Sequence, residues 1–572
     1  MFKIQELLLQ TLPIANALTA KYNPPAEMKN VVSTQDVFEN SVRNFIVRTP
    51  VVGGFSAGKS RLLNAFAHQE GQEPLFSVEV TPETAVPAEL GYGENDQFIG
   101  RFSDGRTVKL TRKQVQKNDL AVLQRKSENH PAGWVEVSLN IPQLAQIPHI
   151  RIVDMPGWNS NAQAHNQAID GYVSNSLAYC VAVSADEGTV RDDIRKLLNE
   201  LRLHNMPVVG IVTKADKKPP NDIEAVKMKV AQELETIMGK PPVRMIAISA
   251  VSKRIGVGEF TQALLELEVM AEPVFRQAIV APWLERMGNL QKRVETLCNG
   301  IDCESETIHA QLQTAQQSYD RFNNELQSQT DELQSRLAVI LDKIAGRIKS
   351  TLTSQLSGLT NTAASGGDMQ IAVNEAVRLS VTMGLDEDFK PEVHRYLTNV
   401  QAVVPKDVVI DLSLSLPSAQ IGNSSDFDWK KGALAALPAI VAIPVFGPIA
   451  TLVSGVLLVF LSTAFGSKSS TPKVDPEVAR REYIRSQLAN NIIPKVANDV
   501  SEKIRPELQK RIEDAKNAIK ESVKTEQANH EKTLLRLKTE LEQGQAAFKM
   551  KLKTYQADLG VIKDFIGKIN NS

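Results

Sequence analysis

Residues 51–60 read Val-Val-Gly-Gly-Phe-Ser-Ala-Gly-Lys-Ser, a GxxxxGK[ST] string with an apolar run before it and a helix-like stretch at 61–68 after it. Glycines let such a backbone curl until its N–H groups face one anion, and the following helix adds the positive end of its dipole. In this strand–loop–helix context Gly53, Gly54, Phe55, Ser56, Ala57, Gly58, Lys59 and Ser60 are expected to cradle the phosphates of a nucleotide. Lys59 is expected to reach the β- and γ-phosphates, and the Ser60 hydroxyl to ligate Mg2+.

The surrounding pattern sets the fold class. Phe45, Ile46 and Val47 lead into the glycine cluster, and Val135, Val137, Leu139 and Ile141 alternate as a half-buried strand does. The runs at 150–153, 179–183, 208–212 and 245–248 are short and apolar throughout, with helix-like stretches at 189–204 and 221–238 between them. This alternation predicts an α/β domain with a mostly parallel sheet and helices on both faces. A glycine-rich stretch at 91–110 predicts an antiparallel hairpin added to the sheet.

Two further strings close strands of that series. Asp154-Met155-Pro156-Gly157 follows the run at 150–153 and fits a DxxG switch. Asp154 would hold Mg2+ through water, and the Gly157 N–H would sense the γ-phosphate. Thr213-Lys214-Ala215-Asp216 follows the run at 208–212. A carboxylate at Asp216 accepts from N1–H and the exocyclic amine of guanine, a donor pair that adenine lacks, while Lys214 lies against the base face. Ser249 and Ala250 end the last strand, where a backbone N–H meets the guanine carbonyl oxygen. Each string alone is weak. Together, in this order and each at a strand's C-terminal end, they point to GTP or GDP with Mg2+.

From about residue 283 the texture turns to Gln, Glu, Leu and Ala with scarce Gly. Ile308, Leu312, Ala315, Tyr319, Phe322 and Leu326 step by four and three, and Leu333, Leu337, Ile340 and Ile344 resume the stepping. Leu534, Leu537, Leu541, Phe548, Leu552, Tyr555, Leu559 and Ile562 repeat it near the C-terminus. These stripes predict a long all-α stalk in which they pair antiparallel, in preference to a dimeric coiled coil. Between them, 432–467 contains no Asp, Glu, Lys, Arg or His. As one helix it would be about 54 Å long against a hydrocarbon thickness of roughly 30 Å, but Pro438, Pro444 and Pro448 break it. The reading is an apolar tip of two short legs that dips into a bilayer, in preference to a buried helix pair or a single span. Trp429, Phe446, Leu457, Leu458 and Phe460 are its expected membrane contacts. The first twenty residues superficially resemble a signal peptide, but Gln5, Glu6 and Gln10 interrupt the apolar stretch at helical spacing, which predicts a helix instead.

Composition narrows the partners. The chain has 572 residues, 42% hydrophobic and 23% charged, which is globular and long enough for several domains. Lys plus Arg number 65 against 66 for Asp plus Glu, a net charge of -1 that argues against a nucleic-acid partner. Cys180, Cys298 and Cys303 form no CxxC pair, so a reducing compartment is expected. The histidines make no zinc pattern, and Arg61 and Arg191 read as solvated or phosphate-steering rather than as a cis arginine finger.

GGFSAGKSRLLNAF, Thr84-Ala85-Val86-Pro87, DMPG and TKAD together resemble the GTPase domain of dynamins, particularly bacterial dynamin-like proteins. The preceding helix, the helical arms and the apolar paddle are similar to that family's layout. The resemblance implies a division into an N-terminal helix packing on the stalk or neck (1–45), a GTPase domain (46–280), an outgoing helical stalk (281–405), a tip (406–475, paddle 432–467) and a returning stalk (476–572). It implies Thr84 as the Mg2+-ligating switch threonine, with Thr81 as the fallback, and Lys59, Ser56 and Thr84 as the catalytic set. It also implies a monovalent cation near Ser56. Where many dynamins carry Gln, this chain has Phe55, which can neither donate nor accept a hydrogen bond. Binding is therefore more secure than hydrolysis. The expectation is a cytoplasmic GTPase, peripheral to the inner face of the membrane, that self-associates through its GTPase domains, meets other dynamin-like proteins and remodels lipid bilayers. Vesicle formation and toxin secretion are its implied setting. The runner-up is a GTP-binding membrane scaffold with little hydrolysis, and a third reading makes 432–467 a docking surface for a protein. Hinges of the arm are expected near Pro282 and at 470–476.

Overall fold

A computed structural model of the chain describes residues 1–22, 38–54, 56–69, 71–76, 87–102, 106–116, 133–155, 176–203, 206–251, 256–302, 305–365, 369–410, 412, 476–543 and 545–572. Its sheet comprises β1 (Val47–Gly53), β2 (Ala88–Tyr92), β3 (Gln97–Phe102), β4 (Thr107–Lys109), β5 (Gly133–Leu139), β6 (Ile150–Asp154), β7 (Tyr179–Ser184), β8 (Val208–Thr213) and β9 (Arg244–Ile248). The spatial order is β4-β3-β5-β2-β6-β1-β7-β8-β9.

β6, β1, β7, β8 and β9 run parallel, with Val51 opposite both Asp154 and Cys180, and Ser184 opposite Thr213. Their C-terminal ends thus share one edge of the sheet, where open α/β sheets bind ligands. β1, β7 and β8 are buried at every position, as strands covered on both faces must be. Alternate residues serve opposite faces. Val51 and Cys180 pack with Leu62, Leu63 and Phe66 of α2 (Lys59–Phe66) and with Phe260 and Leu264 of α5 (Val257–Phe275). Val52 and Val181 pack with Leu197 and Leu201 of α3 (Asp192–Leu203) and with Val230 and Leu234 of α4 (Pro220–Met238).

The antiparallel hairpin expected over 91–110 is present as β3 and β4, and a further strand joins it to the sheet. That strand is β5, which lies between β2 and β3, parallel to the first and antiparallel to the second. β5 turns Val135, Val137 and Leu139 into the core, so an inward face drawn from later in the chain takes the place beside β2. β2 itself joins the main sheet antiparallel to β6.

The N-terminal stretch is a helix, α1 (Lys3–Tyr22). Gln5, one of the residues that interrupt its apolar pattern, is buried; its amide nitrogen donates to the Val42 carbonyl at 2.7 Å, and its Oε1 lies 2.8 Å from His149 Nε2. The α-helical region comprises α6 (Ala281–Cys298), α7 (Ser305–Ser354), α8 (Leu356–Ala364), α9 (Met369–Gly384), α10 (Lys390–Val403), α11 (Pro476–Gln487), α12 (Ile493–Glu542) and α13 (Gln545–Asn570). α7 and α12 lie antiparallel along one another: the Ser501 hydroxyl donates to the Leu341 carbonyl at 3.2 Å, while Lys538 Nζ meets His309 Nε2 at 3.0 Å. Phe322, Leu326, Leu333, Leu337, Ile340 and Ile344 are buried in this pairing as their spacing predicts. The C-terminal stripe is divided: Leu534 and Leu537 belong to α12, whereas Phe548, Tyr555 and Ile562 belong to α13, which packs on α6 and α1.

Single π-helical turns at Arg276–Val280, Leu385–Phe389 and Leu488–Ile492 each stand just before a proline, namely Pro282, Pro391 and Pro494. A proline lacks the N–H of the i→i−4 bond and its ring crowds the carbonyl one turn back; an extra residue in that turn removes the conflict. The chain near Pro282 is thus a continuous helical path carrying one widened turn. The apolar run 432–467, with Trp429, Phe446, Leu457, Leu458 and Phe460, and the segment 470–475 lie outside the described residues. Among the described residues no helix is long and apolar enough to cross a membrane.

Candidate functional site

β1 ends at Gly53 and α2 begins at Lys59, so the intervening loop stands at the C-terminal edge of the parallel strands. Gly58 caps α2 in the left-handed region at φ 89°, which a side chain would strain. Ser56 also has positive φ, 61°, without being glycine. Lys59 is buried and its ammonium donates to the carbonyls of Gly53 (3.0 Å) and Gly54 (3.3 Å), which centres the charge within the loop. The next residue, Ser60, donates through Oγ to Asp154 Oδ2 at 2.8 Å. Asp154 Oδ1 is buried and has no hydrogen-bond partner among the described residues. Burial pushes the Asp154 carboxyl above the usual carboxylate range, against the pull of Lys59 and the Ser60 hydroxyl.

The second cluster is held to the first by Thr213. Its buried Oγ1 donates to the Ala57 carbonyl at 2.5 Å, which ties the end of β8 to the phosphate loop. Lys214 is the other non-glycine residue of positive φ (56°) among the described residues. Ser249, fully buried at the end of β9, donates to Asp216 Oδ1 at 2.6 Å and so orients that carboxylate. Ala250 follows it, half-buried. The structure therefore brings Gly53, Gly54, Ser56, Ala57, Gly58, Lys59, Ser60, Asp154, Thr213, Lys214, Asp216, Ser249 and Ala250 to one edge of the sheet. Phe55, Thr81, Thr84 and Gly157 lie outside the described residues. Among the described residues no cluster of His, Cys, Asp and Glu suits a metal held by side chains of those types alone.

Residues 50–215 match the family model described as the dynamin family. This segment is an α/β GTPase domain similar to that of the dynamin family. No curated protein matches the sequence. Among solved structures, a chain from an oligomerised bacterial dynamin pair, described as providing a mechanism for long-range sensing and tethering of membranes, is 15% identical. That likeness covers 99% of this chain and 82% of that one, with a TM-score of 0.40. Era of Aquifex aeolicus bound to GDP.AlF4- is 14% identical over 39% of this chain and 57% of its own, with a TM-score of 0.24. The elongation factor SelB of Methanococcus maripaludis, in complex with a GTP analogue, is 15% identical over 39% and 34%, with a TM-score of 0.22.

The GTPase domain also carries contacts that the motifs do not announce. Asp186, in the loop after β7, accepts from Lys217 at 2.7 Å and stands 3.6 Å from Lys214 Nζ. Hydrogen bonding from Lys217 and the charge of both lysines hold its carboxyl below the usual range. In the same loop, Arg191 lies against Gly54: a Cβ built on that glycine would stand 2.9 Å from Arg191 Cδ. Arg61, by contrast, is exposed. Neither Asp186 nor Arg191 sits in a recognisable string; the sequence offers Arg191 only as a solvated or phosphate-steering arginine, and the fold sets it against Gly54.

Proposed function

We propose that this chain binds GTP with Mg2+, hydrolyses it, and couples the cycle to binding and remodelling a lipid bilayer. The observation that carries the nucleotide reading is where the backbone departs from ordinary conformations. Among the described residues the two non-glycine residues at positive φ are Ser56 and Lys214, one in the phosphate loop and one in the base motif. Each such position costs about 1–3 kcal/mol, a strain that clusters at ligand sites.

In this reading the N–H groups from Gly53 to Ser60, with Phe55 and Ala57 among them, and the Lys59 ammonium receive the phosphates. Ser60, Asp154 (through water) and Thr84 hold Mg2+. The donors fit that ion: all are hard oxygens, Ser60 and Asp154 already share a 2.8 Å hydrogen bond, and Asp154 Oδ1 is buried without a partner among the described residues. Mg2+ held by these residues would neutralise part of the phosphate charge. Asp216 accepts from guanine with Ser249 steadying it, Lys214 covers the base face, and the N–H at Ala250 meets the carbonyl oxygen. Lys59 stabilises the charge that grows as water attacks the γ-phosphate; Ser56, with a monovalent cation, organises that end, and Gly157 senses the γ-phosphate.

The divisions at 1–45, 46–280, 281–405, 406–475 and 476–572 describe the working parts. Self-association through GTPase domains, contact with other dynamin-like proteins, and a cytoplasmic place at the inner face of the membrane complete the reading, with vesicle formation and toxin secretion as its setting. The uncharged run 432–467, with Trp429 at its margin, supports the membrane part. Phe55 favours a second reading, a GTP-binding scaffold that barely hydrolyses. GTP turnover by the full chain, with and without vesicles of phosphatidylethanolamine and phosphatidylglycerol, separates the two. Turnover that rises with vesicles supports the first reading, and bound but unhydrolysed GTP supports the scaffold. Nucleotide affinity unchanged in Lys59→Ala would contradict both.

A further inference from the structure

The loop from Ser184 to Arg191 is built to a fixed shape. The N–H groups of Glu187 and Gly188 both donate to the Ser184 carbonyl at 3.0 Å, and Gly188 turns the chain at φ 60°. Glu233, reaching over from α4, then gathers the next residues. Its carboxylate accepts from Thr189 Oγ1 (2.8 Å), the Val190 N–H (2.8 Å) and Arg195 Nη2 (3.0 Å), while Arg195 Nε donates to the Val190 carbonyl at 3.1 Å. One carboxylate thus pins the two residues before Arg191 and the first turn after it. Arg191 begins that turn: its carbonyl accepts from the Arg195 N–H at 2.9 Å.

The result is an arginine delivered to the phosphate loop. A Cβ on Gly54 would stand 2.9 Å from Arg191 Cδ and 3.2 Å from both Nε and Nη1, so a glycine there is what lets the side chain lie down on the loop. The carbonyl of the same residue accepts from Lys59 Nζ at 3.3 Å. Two cationic side chains therefore meet one peptide unit of the phosphate loop. Arg191 Nη1 also stands 3.6 Å from Glu187 in the same loop.

We propose that Arg191 is a cis-acting arginine of the GTPase site that contacts the γ-phosphate end of the bound nucleotide, with Glu233 as the residue that positions it. The proposal rests on the nucleotide reading above. In the reaction, the oxygen of a water forms a bond to Pγ, and the bond from Pγ to the β–γ bridging oxygen breaks with its electron pair leaving on GDP. The water's proton departs with inorganic phosphate. Arg191 shares the charge on the γ-phosphate oxygens with Lys59 through this exchange, as a guanidinium fork suits phosphate. GDP lacks the group that Arg191 meets, so its affinity is independent of the arginine.

The test compares binding of fluorescent N-methylanthraniloyl derivatives of GDP and of the non-hydrolysable triphosphate GppNHp to the full-length chain. Arg191→Ala is expected to hold GDP within about twofold of the parent and to bind GppNHp roughly tenfold more weakly, the worth of one charge-assisted contact. Arg191→Lys should fall between, since it keeps the charge and loses the fork. Glu233→Gln should weaken GppNHp in the same sense, and combining it with Arg191→Ala should add nothing further, because both act through one contact. A merely structural Glu233 would lower GDP affinity and would add to the arginine variant. Equal losses for both nucleotides in Arg191→Ala, or none, would overturn the proposal. The Lys59→Ala variant separates the two levels: if it binds both nucleotides like the parent, the nucleotide reading itself fails. If it loses both while Arg191→Ala matches the parent, only the arginine assignment falls.

Discussion

Asp154 stands at the end of β6 with one carboxylate oxygen on Ser60 and the other buried without a partner among the described residues. Burial favours its neutral form, and a divalent cation would favour the charged form that a ligand must have. Removing metal with EDTA should therefore weaken GDP or GTP binding in the parent, and this EDTA effect should largely disappear in Asp154→Asn. A full EDTA effect in the variant would remove Asp154 from the metal site. At the other end, Asp216 offers only acceptors, and Ser249 already donates to one of them. Asp216→Asn replaces an acceptor by a donor, so guanine nucleotides should lose about a hundredfold or more in affinity and xanthine nucleotides should gain. Competition between GDP and XDP reads this directly.

The long helices owe their places to stripes rather than to local propensity. α7 and α12 are 50 residues each, about 75 Å of helix, and nearly every turn puts an apolar side chain on the seam. Leu337, buried in that seam, should cost about 2–5 kcal/mol when truncated to alanine, measured by denaturant unfolding. A cost near zero would mean that the stripe does not face a core. His530 on α12 gives a pH signature. Burial lowers its pKa below the ordinary 6.5; nearby Asp407 and Glu531 oppose that, and Arg293 adds to it. The folded state thus resists a proton that the unfolded chain accepts, so stability rises with pH through this range and is lost as pH falls from about 6.5 toward the folded value. Unfolding midpoints should drop between about pH 7.5 and pH 5.5, and His530→Gln should flatten that slope. An unchanged slope would place the titrating group elsewhere.

Across the whole molecule, two helical cores are distinct. α1, α6, α13 and the ends of α7 and α12 share one hydrophobic cluster with the GTPase domain, whereas α8, α9, α10 and most of α7 and α12 form another. Tyr22 of α1 donates to Asp558 of α13 at 2.6 Å, and the buried Tyr555 hydroxyl donates to Glu540 at 2.7 Å, so the two ends of the chain are joined beside the GTPase domain. Burial first, and then the Asp558 and Glu540 carboxylates, raise both phenols, with Tyr555 pushed up to about 12. In sequence the apolar run falls between α10 and α11, whose residues border the second core, and far from the GTPase motifs. Deleting 432–467 should therefore abolish cosedimentation with lipid vesicles and leave GDP affinity unchanged. Retained vesicle binding would reject the membrane tip, and a lost GDP affinity would show that the run supports the fold.

The nucleotide motifs and the helical stripes were legible because each depends on short-range order: a glycine loop between strand and helix, a carboxylate at a strand end, apolar residues at a period of 3.6. From these alone the sequence determined an α/β GTPase domain followed by paired helices with an uncharged insert. It marked Gly53 to Ser60, Asp154, Thr213, Lys214, Asp216, Ser249 and Ala250 as candidates for one site, and those that are described lie at one edge of the sheet. Two things waited for the tertiary structure, because both join residues distant in sequence and carry no local pattern. One is the pairing of β5 between β2 and β3. The other is the support around the motifs: Thr213 on the Ala57 carbonyl, Asp186 beside Lys214, and Glu233 holding the loop that lays Arg191 on Gly54. A chain announces the atoms that meet its ligand through backbone geometry that few residues tolerate. The groups that aim those atoms need only be near them in space, and many sequences satisfy that.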